Sequence, residues 1–453
     1  MADTAALAAA ADPHPPSLVG AGRRRYVLVL LMIAYTLSFL DRQMLSILVE
    51  PIEKDLHISD SAMGLLTGPI FVIFYTFLGV PIAWIADRWS RPLIIAFALT
   101  VWSGFTALCG AATSFPILGF ARLGVGFGEA GCNPSSHSFI ADMSTPAQRA
   151  SGLSFYSLGV PIGTLLGLGV GGVIADLGPH GWRMAFLVAA APGVALAAII
   201  ALSVRDVRPN APALRIVQAF IEPFRDLVET MKALSGKPSF WLVAVGSGFS
   251  AFVGYAQLFF NASFFLRCHP AEVAAIAATL GLKSKTFLGP ALGLMTGVGG
   301  LSGTLIGGWV ADRAVSRDRR MFATVPALAA LGVMPLMYAT YLVPQALPGI
   351  LLVLIPSVGS TIWYGAVYST AQSVVEPRRR ATAAALLLLI LNLIGLGGGP
   401  TFLGFASDYF AKVQHLGPAE GLRRALIVTS TFSLLTGLFF WLARARVRED
   451  VVS

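Results

Sequence analysis

Four ionisable side chains sit deep inside apolar sequence. Asp41 and Arg42 are adjacent within the apolar residues 26–49, and Arg122 and Glu129 lie seven apart within residues 115–141. A carboxylate that gains and loses a basic partner changes its proton affinity, so it can take up a proton on one side and release it on the other. Asp41 and Glu129 are therefore the candidate proton carriers, Asp41 the favoured one and Glu129 the one coupled to Arg42. Arg42 and Arg122 carry a permanent, fork-shaped charge suited to a phosphate or carboxylate head group. The alternative is a purely structural ion-pair lock between the two runs. Buried pairs add little net stability, so function is the stronger reason to keep one.

Residues 26–49 would rise roughly 36 Å as a helix, enough to cross a bilayer. At about 1.5 Å per residue, Asp41 and Arg42 fall at a depth between Glu129 and Arg122 on the other run. Arg122 and Glu129 also share one helix face at that spacing. Of 32 basic and 23 acidic residues, only these four lie well inside an apolar run. They form a cancelling set at one level, which reads as a single network.

The elements that position them are membrane helices. The 453 residues are 56% hydrophobic and 12% charged, about half the charge a soluble domain carries. Apolar runs fall at 26–49, 61–86, 92–112, 115–141, 150–175 and 183–204, then at 239–266, 287–311, 321–342, 348–374, 381–410 and 424–443. The expected fold is an all-α integral membrane protein with 12 transmembrane helices in two six-helix bundles. Residues 1–22 read as a disordered cytoplasmic tail, 23–204 as the first bundle and 239–446 as the second. The segment 205–238 reads as a cytoplasmic linker with an amphipathic helix along the membrane surface.

Basic residues in the gaps orient the chain. Arg23, Arg88, Arg149, Arg313, Arg378, Arg446 and others put 22 on one side against 8 on the other. That asymmetry places both termini and the central loop in the cytoplasm of a cell (inner) membrane protein. The basic residues are spread through short loops, so the net charge of +9 gives no nucleic-acid footprint. Cys109, Cys132 and Cys268 have no paired spacing, and the six histidines form no ligand pair, so no metal or cofactor is expected. Gly124, Gly126 and Gly128 imitate a phosphate-binding motif but follow no strand. No nucleophile–base constellation suggests an enzyme.

The two halves repeat a pattern. Gly79-Val80-Pro81-Ile82-Ala83-Trp84-Ile85-Ala86-Asp87-Arg88 follows the second run, and Gly303-Thr304-Leu305-Ile306-Gly307-Gly308-Trp309-Val310-Ala311-Asp312-Arg313 the eighth. These residues resemble the loop between helices 2 and 3 of the major facilitator superfamily, although Trp89-Ser90 departs from its usual second glycine. Tyr35-Thr36-Leu37-Ser38-Phe39-Leu40-Asp41-Arg42, Arg122-Leu123-Gly124-Val125-Gly126-Phe127-Gly128-Glu129-Ala130, Gly159-Val160-Pro161-Ile162-Gly163 and Trp182-Arg183-Met184-Ala185-Phe186 resemble Spinster-type transporters. Anion symporters of the superfamily share a similar Asp-Arg pair. The resemblance implies alternating-access transport of a sphingolipid or lysolipid, with an organic anion or drug as the alternative substrate and a monomer as the working unit.

No buried charge occurs in the second half. Its candidate cavity residues are Tyr255, Gln257, Asn261, Trp363, Tyr364, Tyr368 and Asn392. A charged first half facing an aromatic second half suits an amphiphile with an ionic head and an apolar tail. Asp87, Arg88, Arg91, Asp142, Arg149, Asp312 and Arg313 are candidates for a cytoplasmic gate of breakable ion pairs, against a plainer role in orientation and helix capping. The glycines of 159–167 are expected to allow close packing of one helix on a neighbour.

Overall fold

Proline in the first turn starts several helices, among them Arg91–Ala111, Phe115–Glu129 and Pro238–Cys268, where its missing N–H costs nothing. The computed structural model describes residues 20–86, 88–208, 216–315, 318, 320–376 and 379–450, without the side chains of 146–147, 150, 216–220, 311–312, 314–315, 381 and 448. The expected tail lies almost wholly outside the described residues, as does Asp87.

Helix α1 (Ala21–Leu56) runs 36 residues and stops at His57, whose φ of 53° is left-handed and whose N–H returns to the Glu53 carbonyl. Ser59 then caps α2 (Asp60–Ala86) by accepting from the Ala62 amide at 3.4 Å. Helices α3 (Arg91–Ala111), α5 (Ser151–Ala175) and α6 (Gly181–Ser203) follow, with α4 between α3 and α5. Helix α4 comes in two pieces, Phe115–Glu129 and Cys132–Met143, broken at Ala130 and Gly131. A linker helix spans Ile216–Leu234. The second bundle is α7 (Pro238–Cys268), α8 (Ser284–Val310), α9 (Met321–Leu342), α10 (Ala346–Ser373), α11 (Thr382–Val413) and α12 (Gly417–Val447). Among the described residues, eleven helices are long and apolar enough to cross a membrane; broken α4 completes the twelve. Large apolar side chains such as Phe97, Phe120 and Leu305 stand on the outer surface, as a lipid-facing wall requires.

Close packing places α1. Gly163 and Gly167 of α5 face it so tightly that a Cβ at Gly167 would sit 2.5 Å from the Leu40 carbonyl oxygen. That approach fixes the turn of α1 carrying Asp41 and Arg42. Between the bundles, α5 packs on α8, α1 on α7, and the start of α2 on α11. At the end opposite the termini the packing is dry and polar-locked: Asp176 of α5 accepts from the Thr286 amide of α8 at 2.8 Å and pairs with Lys285 at 3.2 Å. Near the termini the linker helix meets α2, where Trp84 donates to Glu222 at 3.1 Å.

Candidate functional site

Ser38 and Arg42 lie four apart on α1 and so share a face, which α5 turns towards α4. Arg42 Nη2 and Nε lie 2.5 and 2.7 Å from Glu129 Oε2. Ser38 Oγ donates to the same oxygen at 2.9 Å. Both charged side chains are buried, and the other oxygen, Glu129 Oε1, has no partner. The Arg42 guanidinium also stacks on Tyr75 at 4.4 Å and Phe71 at 4.8 Å, two α2 rings four residues apart that hold the cation in place.

Asp41 points the other way around α1. Thr106 of α3 donates to its Oδ2 at 2.8 Å, and its Oδ1 is buried without a partner. Arg122 is buried against the same Phe71 ring, 5.0 Å from its centroid, with Nε and Nη1 unpaired among the described residues. The four charges thus divide into one tight pair, Arg42 with Glu129, and two separate groups, Asp41 and Arg122, each with buried side-chain atoms that have no partner among the described residues. Buried polar atoms are rarely left so.

Across from Arg42, the second half presents tyrosines. The hydroxyls of Tyr35, Tyr75, Tyr255, Tyr364 and Tyr368 lie close enough to act on one another electrostatically, and Arg42 acts on Tyr35 and Tyr255. Five tyrosines from α1, α2, α7 and α10 therefore gather near Arg42 where the two bundles meet. Trp363 stacks on Tyr364 with ring centroids 4.2 Å apart and backs that wall. Tyr35 and Tyr75 were not named as cavity candidates from the sequence, although Tyr75 is the lone phenol of its apolar run.

Three other cavity candidates lie elsewhere. Gln257 donates to Ser430 Oγ on α12 at 3.0 Å, and Asn261 accepts from the Tyr341 hydroxyl on α9 at 2.8 Å; both are buried in contacts inside the second bundle. Asn392 is half-buried where α11 widens into a π-helical turn, Asn392–Gly398, a local geometry often found at functional sites.

The loop residues cluster within the first half. Arg91 is fully buried, bonded to Asp142 at 2.6 Å, to Asp206 at 2.5 Å and to the Ser138 carbonyl at 3.0 Å. Burial pushes the Asp206 carboxyl up, but the Arg91 side-chain and backbone hydrogen bonds outweigh it and hold the group below its usual range. Arg149 caps the Ala141 carbonyl at 3.1 Å. Arg88 stacks on Trp84 at 3.7 Å and Arg313 on Trp309 at 4.0 Å, the same contact in both halves. Asp87 lies outside the described residues, and the Asp312 side chain is not described.

Another charge cluster, which the sequence did not disclose, lies at the far end. Arg267 of α7 bonds Glu50 at 2.6 Å and Glu53 at 2.6 Å on α1, and Asp60 at 2.8 Å on α2. Its signal was only an arginine and three acids at span ends, which look like ordinary loop charges.

Comparison with known proteins follows the same lines. Residues 31–400 match the family described as the Major Facilitator Superfamily. An MFS-type efflux pump of Mycolicibacterium smegmatis is 32% identical over 98% of this chain and 96% of its own. Protein spinster homolog 3 of Danio rerio is 26% identical over 97% and 89%, and the sphingosine-1-phosphate transporter of the same fish is 25% identical over 89% and 81% of the two chains. The crystal structure of a bacterial homolog to the human lysosomal transporter Spinster, inward-facing and unoccupied, superposes with a TM-score of 0.81 at 30% identity, covering 96% of this chain and all of that one. The chain therefore belongs to the Major Facilitator Superfamily, and it is a Spinster-like membrane transporter with no call on enzymatic chemistry.

Proposed function

We propose that this protein is a proton-coupled, alternating-access transporter of an amphiphile with an anionic head, with both termini in the cytoplasm. The observation that carries the reading is the buried Arg42–Glu129 pair, with unpartnered oxygens on Glu129 and Asp41, beside a cluster of tyrosines from both halves. An anionic head that takes the Arg42 guanidinium displaces Glu129, and the released carboxylate binds a proton. Return of Arg42 to Glu129 expels that proton and the substrate's hold together. Asp41, bonded by Thr106 with its other oxygen unpartnered, is the favoured carrier and receives the proton that the displaced Glu129 takes up. Aromatic walls in α7 and α10 suit an apolar tail. The 22-to-8 basic asymmetry supports the orientation, and the likeness to a sphingosine-1-phosphate transporter supports the lipid class.

Export of an organic anion or drug is the second reading, favoured by the 32% identity to an efflux pump. Proton flux in proteoliposomes, measured against lysolipids, sphingoid phosphates, small organic anions and cationic drugs, separates the two. The expected result is flux with the amphiphilic anions, lost in Asp41→Asn while the variant keeps its fold. Undiminished pH-driven transport by that variant sinks the relay, and a response to small anions alone sinks the lipid assignment.

A further inference from the structure

The linker helix Ile216–Leu234 touches both bundles at their terminus-side ends. Glu222 accepts from the indole of Trp84, two residues before the end of α2, at 3.1 Å. Arg379, just ahead of α11, donates to the Glu229 carbonyl at 3.0 Å. Leu227 and Leu234 are buried in a cluster with Phe240 of α7 and Leu386 of α11. Trp241 of α7 donates to the Leu234 carbonyl at 2.9 Å. The helix therefore lies across the seam between α2 and α11, at the depth where those spans end.

The face turned away from that seat is exposed, and it mixes apolar and basic side chains. Ile221, Arg225, Val228 and Lys232 follow at intervals of four, three and four, which puts them on one stripe of the helix. Leu227, Thr230 and Leu234 are buried on the opposite side. Ile221 is 59% exposed and Val228 48%, with Met231 exposed beside them. Large apolar side chains aligned in this way are costly against water, and the head-group region of a bilayer accepts them. The cations share the stripe, whereas the acids leave it. Glu222 is taken by Trp84, and Asp226 and Glu229 stand on one flank. Arg225 lies 3.9 Å from Glu229, an exposed pair too weak to withhold its charge.

We infer that this stripe docks on anionic phospholipid head groups of the terminus-side leaflet, making the linker a lipid-anchored strap across the ends of α2 and α11. Ile221, Val228 and Met231 enter the boundary between head groups and acyl chains, while Arg225 and Lys232 pair with phosphates. A zwitterionic lipid offsets its own phosphate, so the two cations select lipids of net negative charge. Each cation near such a surface is worth about fivefold in the docked-to-undocked ratio. Docking fixes the helix axis, and the Trp84 and Arg379 bonds carry that restraint to one bundle each. The inference depends on neither the proton relay nor the substrate class.

The test uses the full chain in phosphatidylcholine vesicles with and without phosphatidylglycerol. A fluorophore at Val228→Cys, in a Cys268→Ser background where Cys109 and Cys132 are buried, reports docking. Quenching by a lipid spin-labelled near its head group is expected, stronger with phosphatidylglycerol, and little quenching by aqueous acrylamide. Ala233→Cys, exposed on the acidic flank, is expected to show the reverse. The Arg225→Gln, Lys232→Gln double variant should lower the docked-to-undocked ratio about 25-fold in phosphatidylglycerol. The Arg225→Lys, Lys232→Arg exchange, which keeps both charges, should retain it. Spin labels at Trp89→Cys and Arg380→Cys, exposed positions at the terminus-side ends of the two bundles, report the strap. Their distance distribution is expected to narrow with phosphatidylglycerol, and to stay broad in both lipids in the double glutamine variant. Acrylamide reaching Val228→Cys as freely as Ala233→Cys overturns the docking. Docking indifferent to phosphatidylglycerol, or unchanged in the double glutamine variant, overturns the anionic-lipid partner. One distance distribution in both vesicle types overturns the strap.

Discussion

At the scale of single residues, Arg42 and Glu129 show why residue type at fixed spacing is informative inside a membrane. Two hydrogen bonds from one guanidinium converge on one carboxylate oxygen, a geometry that an ammonium cannot reproduce. Arg42→Lys is therefore expected to raise the substrate KM by roughly tenfold, the equivalent of about 1.4 kcal/mol of lost head-group and Glu129 bonding. Transport assays across a range of substrate concentrations check it, and an unchanged KM would count against Arg42 as the head-group site. Asp206 makes a different prediction, because its carboxyl is held below the ordinary range by Arg91. Its stabilisation is complete above pH 4, near the unfolded value, and fades as pH falls through the lower folded value. Asp206→Asn should cost about 1.5–3 kcal/mol at neutral pH, visible as a lower melting temperature in detergent, and the gap to wild type should close in acid.

All four buried charges were legible in the sequence, because a charge within an apolar run has few bland explanations. Their partition was not. Which face of α1 meets α3 and which meets α4 depends on the α5 glycines that set its rotation, so Asp41 going to Thr106 and Arg42 to Glu129 could only be seen in three dimensions. Gln257 and Asn261 illustrate the converse. An amide in an apolar helix is as well satisfied by Ser430 or Tyr341 of its own bundle as by a ligand, and nothing in sequence separates the two.

Among the elements, α5 carries the clearest constraint. A Cβ at Gly163 would lie 2.7 Å from the Phe39 Cβ and 3.0 Å from the Leu40 amide nitrogen, so α1 would have to move. Gly163→Ala should therefore destabilise by about 1–3 kcal/mol and displace Asp41 and Arg42. Thermal unfolding together with proton flux tests this, and a variant normal in both would show that α1 tolerates the shift. Helix α4 taught another lesson. Its apolar run reads as continuous at 115–141, yet the helix breaks at Ala130 and Gly131, one residue beyond Glu129. Small residues hint at such a break, but in a glycine-rich run they cannot say where it falls.

For the whole molecule, the count of spans and the two bundles followed from hydropathy and from the paired loop sequences, whereas the Trp–Arg stacking in each loop is seen only in the structure. The distribution of contacts between the bundles did not, since either end of a two-bundle transporter can be shut. Here the end away from the termini is shut, by Arg267 with its acids and by Asp176 with α8. Those residues lie at span ends, where hydropathy carries no information about pairing across 109 to 217 residues of chain.

One consequence comes from where the charges and the tyrosine wall lie. Every ionisable group of the central network is on α1 or α4, whereas α7 and α10 add only phenols and rings. Inheritance can therefore work on the two bundles at different rates. On the proposed reading, substitutions among the α7 and α10 rings would retune which tail is accepted and leave the charged helices α1 and α4 untouched, so new cargo specificities could arise without passing through an uncoupled intermediate. Grafting residues 239–446 from a relative with another cargo should accordingly transfer selectivity and leave the pH dependence with the recipient.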